Sequence, residues 1–253
     1  MIDLHTKKVL IFDLDDTLAE SKQPLDQEMS EIIKKLIAKG FFIAVTSGGS
    51  FEQFKSQFLS NLKLQPNDYE KIYLLPTSGA ALYRFVNGAW VEFYMHTLSQ
   101  DEKYKITTLL SESIKTNNFW IEDAPGGLIE DRGTQISYSG LGQSVSLNDK
   151  KGWDPDQRKR KIIVASLRED LPDYDIKIGG RTTIDITQKG INKAFGINQL
   201  SQILLVPINK MIYFGDALFP GGNDATVLET GIEAVTVSGV SDTKNYLIKN
   251  FLS

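Results

Sequence analysis

The stretch Val9–Leu18 (VLIFDLDDTL) decides the fold. Its four apolar residues end abruptly at acids and a threonine, and a run of this length is typical of a buried strand bounded by a turn. The acids then lie at the carboxyl end of the strand, where open α/β sheets place their ligand crevice. Asp13 and Asp15 share one face of an extended chain, and their like charges repel unless a cation or a shared proton relieves them. The stretch therefore indicates a metal site.

Short apolar runs of the same kind recur outward along the chain. Phe41–Val45 ends in TSGGS, Ile72–Leu75 ends in PTSGA, and Met211–Phe214 runs into GDALFPGGND. Segments with helical periodicity separate these runs. Buried strands that alternate with helices are typical of an α/β fold with a doubly wound, Rossmann-like parallel sheet.

The middle of the chain has a different pattern. Alternating residues flank Asn87-Gly88, the strongest short hairpin signal, and further strands mix with helices up to about residue 185. We interpret residues 85–185 as an inserted, smaller α+β domain. Residues 1–84 and 186–253 then form a discontinuous core.

Bulk composition limits the function classes. The chain has 253 residues, 41% of them apolar, and a net charge of −4, which disfavours a nucleic-acid partner. It has no cysteine, so a reducing compartment is favoured and thiolate metal sites are excluded. No apolar run is long enough to span a membrane, and the first residues lack the apolar core of a signal peptide. We expect a cytoplasmic protein without a membrane partner.

Polar residues with complementary chemistry follow the predicted strands. Carboxylates suit a hard cation such as Mg²⁺, whereas hydroxyls, glycine-rich backbone and a lysine suit a phosphate. A metal-bound carboxylate near a lysine can attack phosphorus, and a second carboxylate can move the proton. Each piece alone has a plainer interpretation, as a turn acid or a surface lysine. The candidates are Asp13, Asp15, Thr17, Thr46 or Ser47, Lys193, Asp216, Asn223 and Asp224.

In this order the set resembles the motifs of the haloacid dehalogenase (HAD) superfamily. The first motif is DLDDT at Asp13, the second is Ser47 rather than Thr46, the third is Lys193, and the fourth runs from Gly215 to Asp224. The insertion resembles the cap of the Cof/sugar-phosphatase branch. The resemblance implies that residues 85–185 are an α+β cap domain that sets substrate specificity, and that residues 1–84 and 186–253 are the catalytic core. Three stretches are most similar to eukaryotic-type phosphomannomutases: IYFGD followed by GGND, GGRTTIDI at 179–186, and GINK at 190–193.

The resemblance implies a role for each matched residue. Asp13 would be the nucleophile that forms an aspartyl-phosphate, and Asp15 the general acid/base. Mg²⁺ would be bound by Asp13, the backbone carbonyl of Asp15, and Asp216. The remaining implied residues are Asn223 and Asp224 for metal support, Thr17, Ser47, Gly48 and Lys193 for phosphate, and Arg132, Gln143, Thr183 and Asp185 for substrate.

The sequence departs from the mutases at three places. Asp16 replaces the glycine of the first motif, Lys22 replaces an arginine, and Gln143 ends GLGQ where the mutases have PIGR. A mutase grips a bisphosphorylated intermediate at both ends, a task suited to bidentate arginines. We therefore expect a Mg²⁺-dependent phosphatase acting on a small phosphorylated metabolite of the sugar-phosphate class. The alternatives are a phosphomannomutase-like mutase and, from another class, a non-catalytic phospho-ligand-binding module. An exposed cap sheet would allow a homodimer through the cap.

Overall fold

Eleven strands and seven α-helices account for most regular structure in residues 4–253, the part of the chain that the computed structural model describes. The strands are β1 Val9–Asp13, β2 Phe42–Thr46, β3 Ile72–Leu75, β4 Ala81–Val86, β5 Ala89–Met95, β6 Ile129–Asp131, β7 Gln135–Ser139, β8 Tyr174–Gly179, β9 Thr183–Gln188, β10 Met211–Gly215 and β11 Glu233–Thr236. The helices are α1 Gln27–Ala38, α2 Phe51–Phe54, α3 Gln100–Thr116, α4 Leu147–Lys150, α5 Arg158–Leu167, α6 Lys193–Leu204 and α7 Val240–Leu247.

The larger sheet has seven strands in the order β11-β10-β1-β2-β3-β4-β5. The five strands from β11 to β3 are parallel, and the hairpin of β4 and β5 adds two antiparallel strands. The chain winds from β1 to β3 on one side and returns to β10 on the other, so the winding direction switches beside β1. This topology confirms the predicted doubly wound α/β fold, and it directs the carboxyl ends of β1 and β10 to one crevice.

Both faces of β1 are buried, which explains its unbroken apolar run. Leu10 and Phe12 join the apolar layer that includes α1 and α7, and the ring of Phe12 stacks on Phe214 at 4.9 Å. Val9 and Ile11 join the opposite layer, which includes α6. The strand is thus fixed from two sides, and its carboxyl end is a rigid place for functional side chains.

A separate sheet of four antiparallel strands, ordered β6-β7-β9-β8, forms the second unit. Its apolar face carries Ile136, Tyr138, Ile184 and Ile186, all fully buried in a cluster with residues of α3 and α5. The other face is polar, because residues at alternate positions of β7 and β9 are serine, threonine, glutamine and aspartate. The predicted separate α+β insertion is therefore present.

The boundaries of the insertion differ from the predicted ones. The first unit comprises the residues up to Met95 together with Asn192–Ser253, and the second unit is His96–Ile191. The hairpin signal at Asn87 was correct, but β4 pairs with β3, so residues 85–95 extend the larger sheet. At the other end, β9 continues to Gln188 in the smaller sheet. Periodicity predicts a hairpin without indicating the sheet that it joins.

No helix in the described part of the chain has both the length and the apolarity needed to cross a membrane.

Candidate active site

The carboxyl ends of β1 and β10 bring three acids and one lysine together. Asp13 is the last residue of β1, and Asp216 directly follows β10. Lys193 is the first residue of α6, whose N-cap Asn192 accepts a hydrogen bond from Phe195 N at 3.1 Å. Carboxylate oxygens of Asp13, Asp216 and Asp224 all lie within 4.8 Å of one another. An oxygen cluster of this kind has the donors that a hard divalent cation prefers.

Lys193 is buried at the centre of this cluster. Its Nζ lies 2.5 Å from Asp13 Oδ1, 2.5 Å from Asp224 Oδ1 and 3.3 Å from Tyr213 Oη. Only 2% of Lys193 is exposed, so the ammonium group depends on these partners instead of water. The lysine therefore contacts Asp13 directly, at the strand end where the sequence predicts a nucleophilic carboxylate.

Burial and crowded charge shift the pKa values in the cluster. Burial raises the pKa of Asp13 well above its ordinary value, against the lowering effect of Lys193. Burial, with the nearby charge of Asp224, raises the pKa of Asp216 to about 6. For Lys193, burial acts to lower the pKa, but the carboxylates of Asp13 and Asp224 raise it overall. The single ammonium does not balance these acids, and a divalent cation would relieve the remaining repulsion.

The surroundings of the acids fit a bound cation. Asn223 Oδ1 is buried and has no hydrogen-bond partner within residues 4–253. This amide oxygen, next to Asp224 in the chain, is therefore available as a metal ligand. Thr17 Oγ1 is also buried and has no hydrogen-bond partner among the described residues. Unpaired buried polar atoms are costly, and they indicate groups that a ligand or ion satisfies. The acidic cluster can thus hold a divalent metal.

Metal affinity is expected to fall in mild acid. Because the pKa of Asp216 is about 6 without metal, a proton competes for this carboxylate below neutrality. The affinity for Mg²⁺ should be about tenfold weaker at pH 5 than at pH 7. Calorimetric titration with Mg²⁺ at several pH values measures this directly. An affinity that is constant across this range would contradict the role of Asp216, and Asp216→Asn should flatten the dependence.

Asp15 occupies the turn after β1 and is held by other groups. Its Oδ1 accepts hydrogen bonds from Lys22 N at 2.8 Å and Gln57 Nε2 at 2.9 Å, and Gln53 Nε2 lies 3.4 Å from Oδ2. The turn is closed by Asp16, whose φ of 55° is the left-handed conformation that glycine adopts most easily. The two aspartates that the sequence placed on one face therefore have different environments.

Sequence reasoning missed three residues of the site. Gln53 and Gln57 hydrogen-bond to each other and to Asp15, and the π-helical turn Lys55–Leu59 that follows α2 contains Gln57. Their spacing of four residues is the only signal in the sequence, and it is weak. Tyr213 was counted as part of an apolar strand, but its hydroxyl donates to Asp224 Oδ1 at 2.7 Å.

The loop after β2 lies next to Asp13, because Thr46 pairs with Asp13 in the sheet. Ser47 follows at once, is 4% exposed, and its Oγ accepts from Gly49 N at 3.1 Å. Backbone bonds from Ser78 N to Ser47 O and from Thr77 N to Gly49 O hold the loop to the segment after β3. The predicted phosphate-binding residues Ser47 and Gly48 are thus on a fixed loop beside the acidic cluster.

Gly215 allows Asp224 to approach the end of β10. A Cβ at this position would lie 2.3 Å from Asp224 Oδ2 and 2.8 Å from Tyr213 Cε1. The same Asp224 oxygen accepts from Ala217 N at 3.2 Å. A side chain at Gly215 would therefore displace the carboxylate that contacts Lys193.

The predicted substrate residues lie in the second unit. Arg132 donates through Nε and Nη2 to Glu130 Oε2 at 2.9 and 2.7 Å, and its Nη1 is 4.0 Å from Asp185 Oδ1. Asp185 also accepts from Ser137 Oγ at 2.6 Å, and Thr183 precedes it by two residues on β9. Arg132, Thr183 and Asp185 thus belong to one polar region of the smaller sheet.

Gln143 lies in the turn after β7. Its Nε2 is buried without a hydrogen-bond partner in the residues that the structure describes. The roles of Gln143 and of the three residues on the smaller sheet in substrate binding stay predictions.

Comparison with known proteins identifies the family. The model of the haloacid dehalogenase-like hydrolases matches residues 10–238, so the chain belongs to this family of phosphohydrolases and phosphotransferases. A phosphomannomutase of Spinacia oleracea is 27% identical over 97% of this chain and 96% of its own. A phosphomannomutase of Encephalitozoon cuniculi is 26% identical over 94% of this chain and 91% of its own. The resemblance inferred from the sequence motifs is confirmed.

Solved structures agree on the fold. An N-terminally truncated IMP-nucleotidase of Plasmodium falciparum superposes with a TM-score of 0.73 at 18% identity, covering 98% of this chain and 71% of the other. A haloacid dehalogenase-like hydrolase of Bacteroides thetaiotaomicron gives a TM-score of 0.65 at 14% identity, covering 97% of this chain and 100% of the other. At these identities the likeness shows a shared architecture and leaves the substrate open.

Proposed function

We propose that the protein is a Mg²⁺-dependent phosphatase that hydrolyses a small phosphorylated metabolite of the sugar-phosphate class through an aspartyl-phosphate intermediate. The observation that carries this proposal is the buried Asp13–Lys193 pair at the end of β1, beside the acidic cluster. A carboxylate held by a cation at a strand end is a positioned nucleophile. The reaction is therefore hydrolysis in two steps, with the phosphoryl group carried on Asp13 between them.

The two aspartates divide the chemistry. Asp13 attacks phosphorus, an oxygen–phosphorus bond forms, and the bond to the leaving oxygen breaks. Asp15 gives its proton to that oxygen and then takes one from the water that hydrolyses the intermediate. Its anchoring by Gln57 and by Lys22 N supports this role, because a general acid needs a fixed position. The products are the free alcohol and inorganic phosphate.

Metal and phosphate contacts are assigned from the same cluster. Asp13, the Asp15 carbonyl and Asp216 would hold Mg²⁺, with Asn223 and Asp224 in support. When bound, Mg²⁺ neutralises charge on the phosphoryl group. Thr17, Ser47, Gly48 and Lys193 would hold its oxygens, which agrees with the buried, unpaired Thr17 hydroxyl in the described residues.

A hexose-phosphate mutase is the second candidate, favoured by the two phosphomannomutase relatives named above. A mutase must bind the second phosphate of a bisphosphate tightly. Lys22 and Gln143 stand where an arginine would supply a bidentate grip, and an amide carries no charge for a phosphate. These substitutions favour the phosphatase. A non-catalytic phospho-ligand-binding module is a third candidate, and complete retention of the reactive residues disfavours it.

A substrate panel tests the proposal. We expect release of inorganic phosphate from at least one sugar or nucleoside monophosphate with Mg²⁺, and loss of this activity when the metal is chelated. The mutase is tested with mannose 1-phosphate and a catalytic amount of hexose 1,6-bisphosphate. Formation of the 6-phosphate without free phosphate would favour the mutase. Ligand binding without turnover across the whole panel would favour the non-catalytic module.

The composition also bears on localisation and partners. The negative net charge and the absence of cysteine support a cytoplasmic enzyme without a nucleic-acid or membrane partner. A homodimer through the cap is compatible with the exposed Tyr104 on α3, which is 76% exposed. Light scattering at several concentrations measures the oligomeric state.

A further inference from the structure

Tyr213 is a buried tyrosine whose hydroxyl lies inside the acidic cluster. Its ring belongs to the apolar layer that contains residues of α6, and the residue has no exposed surface. Tyr213 Oη donates to Asp224 Oδ1 at 2.7 Å and accepts from Lys193 Nζ at 3.3 Å. A buried phenol needs a partner for its hydroxyl, and here both partners are charged groups of the site.

The Lys193 ammonium has three N–H donors, and the structure supplies three acceptors. These are Asp13 Oδ1, Asp224 Oδ1 and Tyr213 Oη. Asp224 Oδ1 and Tyr213 Oη fix the rotation of the ammonium about the Cε–Nζ bond. The remaining N–H is thereby directed at Asp13, so Tyr213 affects the reacting carboxylate through the lysine.

Asp224 is locked from both sides. Its Oδ1 accepts hydrogen bonds from Tyr213 Oη and Lys193 Nζ, and its Oδ2 accepts one from Ala217 N at 3.2 Å. Without the Tyr213 hydroxyl, Oδ1 would keep only the lysine, and the carboxylate would be held by two hydrogen bonds instead of three. These hydrogen bonds therefore orient Asp224 toward Lys193.

We propose that Tyr213 is a positioning residue for phosphoryl transfer: its hydroxyl fixes the Lys193–Asp224 pair so that Lys193 orients Asp13. This inference rests on the proposed function, in which Asp13 is the nucleophile. In this role Tyr213 acts through Lys193 and Asp224, the two groups that its hydroxyl contacts. Its removal should slow the chemical step and leave substrate binding intact.

The test compares Tyr213→Phe with Tyr73→Phe. Tyr73 lies on β3, is 7% exposed and packs in the same apolar layer, so it is a matched buried tyrosine away from the acidic cluster. We expect Tyr213→Phe to lower kcat about tenfold, the effect of losing one hydrogen bond to a charged group. KM should change less than about twofold, an order-of-magnitude bound for contacts that remain. Tyr73→Phe should leave both kcat and KM unchanged.

Two outcomes overturn the proposal. One is a kcat for folded Tyr213→Phe equal to that of Tyr73→Phe. The other is a joint change of kcat, KM and Tm, which would indicate general loosening of the site and not positioning. A selective loss of kcat at a preserved Tm supports it.

A spectroscopic measurement separates this inference from the proposed function. With ¹⁵N-labelled lysine, the buried Lys193 ammonium gives an NMR signal that is assigned by its loss in Lys193→Met. Its chemical shift and hydrogen-exchange rate should change in Tyr213→Phe and stay constant in Tyr73→Phe, with or without turnover. If no substrate is hydrolysed, the proposed function fails while this signal still reports the contact. An unchanged signal in Tyr213→Phe overturns the role of Tyr213.

Discussion

We expect Asp13→Asn to abolish phosphate release while the protein stays folded, with Tm equal to or above that of the wild type. Asparagine keeps the size of the side chain but cannot form an aspartyl-phosphate, so turnover should fall by at least about 10⁴-fold. Stability should not fall, because burial raises the pKa of Asp13 well above its ordinary value and the ionised group is therefore costly to bury. Steady-state kinetics and calorimetry of the metal-free protein measure both effects.

Asp101→Asn is the matched control for this experiment. It makes the same chemical change at an exposed acid in the first turn of α3. Its activity should equal that of the wild type. Full activity in Asp13→Asn would refute the aspartyl-phosphate mechanism, and a large fall in Tm would show that Asp13 is needed mainly as a partner for Lys193.

Among the variants considered, we expect Lys193→Met to lose the most stability. Methionine fills a similar volume, but Asp13 and Asp224 lose the cation that lies 2.5 Å from each of them. Removing one partner of a buried charge pair costs about 3–5 kcal/mol of the free energy of unfolding. Activity should be lost as well. Denaturant unfolding measures the stability, and Lys63→Met, at an exposed position, is the control.

The stability loss in Lys193→Met should depend on pH. Without the lysine, the folded-state pKa of Asp13, already raised, rises further above its unfolded value. A carboxyl group shifted in this direction favours folding at low pH, and that contribution is lost as pH rises through the folded pKa. The variant should therefore be closer to wild type at pH 5 than at pH 8. Adding Asp13→Asn should recover part of the loss, and a pH-independent deficit would contradict this account.

The strands β1, β3 and β10 were predictable because each is buried on both faces and gives an unbroken apolar run. β1 and β10 are the clearest examples, and the acids after them mark the sheet edge where the site forms. The hairpin of β4 and β5 was recognisable, but its sheet was not. Pairing with β3 depends on tertiary contacts that local periodicity does not encode.

The candidate site was predictable where residue type alone indicates chemistry. Asp13, Asp216 and Lys193 are polar residues at strand or helix ends, and the structure brings them together. Tyr213 was not predictable as a site residue, because a tyrosine inside a buried strand looks like part of the apolar core. Gln57 was not, because its approach to Asp15 comes with a π-helical turn, and no simple helical periodicity predicts one.

Pairing between distant strands makes the site a late product of folding. Val9 on β1 pairs with Met211 on β10, and the Lys193–Asp13 contact closes a loop of 180 residues. The second unit, by contrast, is one continuous segment, His96–Ile191, and is complete on the growing chain before β10 is made. Until β10 arrives, one edge of β1 has no strand beside it, and open apolar edges favour aggregation. We expect nascent chains that stop before Met211 to hold a folded second unit and to need a chaperone for the first.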